Sequence, residues 1–195
     1  MKKDDLQKLL RDALRQLIIE EWDLAVVNAH ERTITSHLSR MIGDRGLADW
    51  MRVGHDYGRL GSSPKRVQVT AQSDDDEKLV IPDILIHHRG FDSNNLLVLE
   101  AKKAQRHDAA DELKIRALLQ DPYSYRFGVL LNLDIKSNGD QSSWEPKWCW
   151  MSDTGDPIEY QAVFSLNIAT QLNDEGKRLW QLRLYEGRGG FRGRT

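Results

Sequence analysis

Apolar positions along the chain repeat with two different periods. Leu6, Leu9, Leu10, Ala13, Leu14, Leu17 and Ile18 recur at three- and four-residue spacing, which is the period of one helix face. Asp4 and Asp5 open this stretch, where carboxylates suit the positive end of the helix dipole. Lys8, Arg11 and Arg15 fall on its solvent side, and a solvated face is expected of them ahead of phosphate contact. The same spacing predicts a second helix over 31–42, with Ile34, Leu38, Met41 and Ile42 inward and Gly43 as its C-terminal stop. Glu31 falls on that inward stripe. A carboxylate there costs several kcal/mol unless it finds a partner or a metal.

Further along, the period changes to two. Residues 52–57 read as a strand, 58–64 as a turn, Val67 and Val69 as a half-buried strand, and 73–77 as an acidic turn. Two apolar runs, 79–87 and 96–102, are joined through Gly90 and Asn95 and predict a hairpin of core strands. Asp108 can cap a helix to Leu119 with Leu113, Ala117 and Leu118 inward, ended by Pro122. Residues 127–133 form another apolar strand. In the last third, Trp148 and Trp150 alternate on one strand face, and Trp180, Leu182 and Leu184 on another. Core packing is expected of such aromatic pairs ahead of base stacking. Arg188, Arg192 and Arg194 among glycines mark 187–195 as a disordered tail. The order of elements predicts an α/β fold, a mixed central β-sheet flanked by helices, with a β-rich C-terminal extension and one domain over 1–186.

Composition narrows the class. At 39% hydrophobic and 30% charged residues, the chain reads as soluble and globular. No apolar run approaches the ~20 residues of a membrane span, and the first residues do not read as a signal peptide, so a cytoplasmic location without membrane partners is expected. Cys149 is the only cysteine, which excludes a disulfide frame and a cysteine zinc site. The net charge of −2 argues mildly against tight, unspecific nucleic-acid binding, although charge distribution matters more than its sum.

The chemistry concentrates in the predicted hairpin. Alternation places Glu100 and Lys102 on one face of their strand, with Leu97, Leu99 and Ala101 on the other. Asp83 is a lone carboxylate in an apolar run, and a hairpin can set it across from Glu100. Two adjacent carboxylates repel unless a cation lies between them. A hard cation such as Mg²⁺ or Mn²⁺ takes few carboxylates and keeps several waters. It polarises a phosphoryl oxygen and acidifies a bound water, and Lys102 can orient that water and neutralise developing charge. The alternative is a buried ion pair with incidental charges. Three charged residues interrupting apolar strands weigh against it.

Ile81-Pro82-Asp83, then Leu97-Val98-Leu99-Glu100-Ala101-Lys102-Lys103, resembles the PD-(D/E)XK nuclease superfamily with its restriction-endonuclease-like fold. The context is similar to a subgroup of small bacterial proteins of that superfamily. Asn28-Ala29-His30-Glu31-Arg32 matches their Asn-Glu-Arg helix start, and Asp56-Tyr57-Gly58-Arg59 imperfectly matches their Glu-Tyr-Asn-Arg stretch. The resemblance covers roughly 28–133.

It implies that Asp83, Glu100, the Ala101 carbonyl and Glu31 hold Mg²⁺ or Mn²⁺, and that Lys102 is the catalytic lysine. It further implies phosphodiester hydrolysis, with DNA favoured over RNA, in a homodimer or as a subunit of a larger complex, in restriction, repair or phage defence. Lys103, Arg106, Arg59, Tyr57 and His88 are candidates for contacting nucleic acid, and His37, His87 and His88 could ligand a metal or contact phosphate, although isolated histidines are more often structural or solvated. The rival readings are a nucleic-acid-binding or scaffold module that has lost cleavage, and an RNA-cleaving enzyme on the same fold.

Overall fold

The computed structural model describes residues 1–60, 63–68, 77–88, 91, 94–103, 109–138, 141–151, 159–172 and 178–185. The chain begins with α1 (Lys3–Glu20), α2 (Asp23–Val26) and α3 (Glu31–Gly43). β1 (Arg52–His55) is followed by β2 (Arg59–Leu60), β3 (Ser63–Pro64), β4 (Arg66–Gln68) and β5 (Glu77–Leu79). β6 (Ile84–His87), β7 (Leu97–Lys102), α4 (Ala109–Leu119) and β8 (Phe127–Asn132) come next. The C-terminal third holds β9 (Ile135–Asn138), β10 (Gln141–Trp144), β11 (Lys147–Met151), β12 (Gln161–Ala162), β13 (Ser165–Leu172) and β14 (Arg178–Tyr185).

The result is an α/β architecture around a mixed six-stranded sheet of order β1-β6-β7-β8-β11-β12. Its strands pair antiparallel except β7 and β8, which are parallel and joined through α4. A second sheet, β14-β13-β10-β9, accounts for the β-rich end of the chain. Among the described residues no helix is long and apolar enough to cross a membrane.

Alternation divides the core into two clusters. Ile84, Ile86, Leu97, Leu99, Ala101, Val129 and Leu131 pack under the stripes of α1 and α3. Leu85, Val98, Leu130 and Cys149 face α4, whose Ile115, Leu118 and Leu119 cover them. Both strands β6 and β7 are therefore apolar on two faces until their charged ends. Gly128 lets α4 approach closely, because a Cβ there would run into the Ile115 side chain.

The predicted stripe of α1 is buried, Leu9 only partly. That of α3 is buried as expected, with Thr35 added. Gly43 is the last residue of α3 rather than a stop beyond it. The predicted strand over 79–87 is in fact two. β5 pairs with β4, and β6 pairs with β1 and β7. Pro82 lies in the break, where its missing N–H cannot serve a ladder. On α4, Leu113 is exposed rather than inward, because the buried stripe runs through Asp111, Ile115, Leu118 and Leu119.

Trp148 and Trp150 pack edge to face in the core, with Arg11 and Lys3 of α1 over their rings. This is the packing role expected of them. Gly90, Asp108, most of the acidic turn and the tail 187–195 lie outside the described residues.

Candidate active site

β7, which runs parallel to β8 along its length, carries two charged residues, Glu100 and Lys102, at its C-terminal end. The β6–β7 register pairs Ile84 with Leu99, so one step further Asp83 falls opposite Glu100. Asp83 Oδ2 accepts a hydrogen bond from the Ala101 N–H at 2.8 Å, which fixes the carboxylate to the neighbouring strand. Its own carbonyl accepts the N–H of Asp56, a residue held at φ 51° just past β1.

Glu31 reaches the same strand end from the other side of the sheet. It is the first residue of α3, whose N-cap His30 accepts the Arg32 N–H through Nδ1. The helix dipole favours a carboxylate there. Glu31 Oε2 accepts the N–H of Lys103 at 2.7 Å. The partner that the sequence demanded for Glu31 is thus the backbone of the site strand. Two carboxylates, Asp83 and Glu31, hold alternate N–H groups at the end of β7.

Glu100 is 3% exposed. Lys114 of α4 places its Nζ 2.7 Å from Glu100 Oε1 and donates to the Ile81 carbonyl at 3.2 Å. Burial pushes the Glu100 carboxyl up to about 8, against the pull of Lys114 and with the added repulsion of Asp83 and Asp111. Asp83 is raised as well, by burial first, while the Ala101 N–H and Lys114 oppose the shift and Glu31 and Asp56 add to it. The carboxyls therefore sense one another. They resist full ionisation unless more positive charge arrives.

Lys102 Nζ lies 3.4 Å from Asp111 Oδ2, also on α4. Strand and helix thus exchange two ion pairs, Glu100 with Lys114 and Lys102 with Asp111. Alternation had been expected to supply Glu100 and Lys102, and it does. Asp111 and Lys114 were missed. Their signal was present: on a 3.6-residue period they share the inward face of α4 with Ile115 and Leu118.

The predicted nucleic-acid contacts fare unevenly. Lys103 is exposed in part, but its ammonium donates to the carbonyls of Asn28 and Ala29, which ties it to the loop before α3. The Tyr57 ring is partly buried against the α4-side cluster, packs on His87 and lies under the Lys65 ammonium. His88 lies beyond the opposite end of β6 from Asp83, roughly 17 Å along the strand. There it stacks on Phe91 and meets the edge of Trp50. His87 is buried, and His37 pairs with Glu21. Arg59 opens β2, and Arg106 lies outside the described residues. A residue not foreseen is Arg32, whose Nε lies 3.0 Å from Asp56 Oδ2 while the side chain stays largely exposed beside Glu31.

Among the described residues, no three His, Cys, Asp or Glu side chains already stand at metal-binding distance from one another. The donor set itself suits a hard cation: carboxylate oxygens, two of them on facing strand positions, with the Ala101 carbonyl adjacent. Compared with family models, curated proteins and solved structures, the chain matches none.

Proposed function

We propose that this chain is a Mg²⁺- or Mn²⁺-dependent nuclease of PD-(D/E)XK type, with α3, β1, β6, β7, α4 and β8 forming a restriction-endonuclease-like core. The observation that carries the reading is the alignment of Asp83 with Glu100 at the end of β7, with Glu31 anchored to the Lys103 N–H just beyond that strand. In this reading Asp83, Glu100, Glu31 and the Ala101 carbonyl hold the cation. When bound, it polarises a phosphoryl oxygen and acidifies a water.

The protein's own residues supply the rest. Ala101 N–H orients Asp83, and Lys103 N–H orients Glu31, each through one carboxylate oxygen. Lys102, positioned by Asp111, faces the attacking water and the charge that builds on the phosphoryl oxygens. The water oxygen bonds to phosphorus as the bond from phosphorus to the leaving sugar oxygen breaks, the water gives up one proton to solvent, and the departing oxygen takes one from solvent. DNA is the favoured substrate. A homodimer or a larger complex, with a role in restriction, repair or phage defence, extends the same proposal.

A second reading draws on Lys114. An ammonium already neutralises Glu100, as expected of a module that keeps the fold and binds nucleic acid without cutting it. Plasmid, linear duplex, single-stranded DNA and RNA incubated with Mg²⁺ or Mn²⁺ separate the readings. The nuclease reading expects cleavage by the wild type, abolished by Lys102→Ala. An identical product pattern from both proteins refutes it, and RNA-only cleavage selects the RNA-cleaving rival.

A further inference from the structure

Lys114 lies where the proposed metal chemistry needs positive charge. It projects from the inward face of α4, three residues after Asp111, and its Nζ is in direct contact with Glu100 Oε1. Its charge acts on Asp83 as well as on Glu100. A divalent ion bonded to Glu100 Oε1 and an ammonium 2.7 Å from the same oxygen would be like charges within about 4 Å, where repulsion in a shielded site is strong. The two cations exclude one another. Lysine is also the residue type able to withdraw, since its charge is a point on a flexible four-carbon stem. The Lys114 side chain is 20% exposed, which leaves a path to solvent.

We propose that Lys114 is a resident counter-cation, which holds the carboxylate pair together in the metal-free protein and must be displaced for a divalent metal to bind. The inference rests on the metal-site reading given above and adds its regulation: Lys114 sets the metal affinity of the site. Its neighbour Lys102 is kept apart from this role by Asp111, so the two lysines of the strand–helix pair have separate tasks.

The test is Mn²⁺ binding to the intact chain, followed by electron paramagnetic resonance and by calorimetry, without substrate. Lys114→Gln removes the competing charge and should bind Mn²⁺ about tenfold tighter than wild type, the order expected from one charge-assisted contact. The same variant should show a larger rise in melting temperature on adding Mn²⁺. Lys114→Arg keeps the charge and should bind no tighter than wild type. If wild type binds Mn²⁺ and Lys114→Gln binds within twofold or more weakly, the displacement model is overturned and Lys114 is a structural pair or a support for Glu100. A tighter Lys114→Arg overturns it too. If Asp83→Asn binds as well as wild type, or no folded protein binds at all, the metal-site reading itself falls, and the inference with it.

Discussion

Replacing Glu100 with glutamine removes a buried ionisable group while leaving its volume almost unchanged. In the metal-free protein burial raises this carboxyl from 4.5 to about 8. Between those values the folded protein holds a proton that the unfolded chain has released, so the group's contribution to stability is full below 4.5 and is lost as pH rises through about 8. At pH 7 the unfolded carboxyl is ionised, while the folded one still shares its charge with a proton and, where ionised, is paired with Lys114. The gap of two to three pH units corresponds to about 3 kcal/mol.

Glutamine carries no such penalty, although Lys114 loses an ionisable partner and offsets part of the gain. Glu100→Gln should therefore be more stable than wild type by about 2 kcal/mol at pH 7, or roughly 4–8 °C in melting temperature for a chain of this size. The difference should grow between pH 5 and 8 and then level. Thermal melts at pH 5, 7 and 8.5 in EDTA measure it. Adding Mn²⁺ should reverse the order, because wild type gains a ligand-linked stabilisation that the variant loses. A variant no more stable than wild type at any of these pH values would refute the electrostatic reasoning.

Asp111→Asn leaves a neutral side chain beside Lys102 and should lower kcat about tenfold or more with little change in KM, read from steady-state cleavage. Gly128→Ala drives a methyl into Ile115 and should destabilise the fold by about 1–3 kcal/mol in urea melts.

Much of the site was legible because strands and amphipathic helices write their faces into the sequence. The alternation of Leu97 to Lys102 put Glu100 and Lys102 together, and the stripe of Ile34, Leu38 and Met41 showed that Glu31 had to be explained. Its partner could not be read, since a backbone N–H 72 residues away leaves no mark on the sequence. α4 misled for a different reason. Leu113 offers an apolar position on its exposed side, and the buried stripe opens with Asp111, a residue that looks solvated until the lysine opposite it is known. Pro82 was a visible sign that 79–87 is not one strand, but only the pairing partners show that its halves serve different sheets.

That division gives Asp83 a mechanical character. The backbone before it leads back to β5 and its pairing with β4, while the backbone after it is the first strand turn of the central sheet. The carboxylate is latched to β7 by the Ala101 N–H, and the carbonyl to the end of β1 by the Asp56 N–H. Asp83 stands where the chain passes from one sheet to the other, with both its carboxylate and its carbonyl fastened to the central one. The β4–β5 pair itself is tied down on the far side of the turn after α4, where Lys65 and Arg66 meet the Tyr125 and Tyr123 hydroxyls, so Asp83 closes the remaining link between that pair and the central sheet.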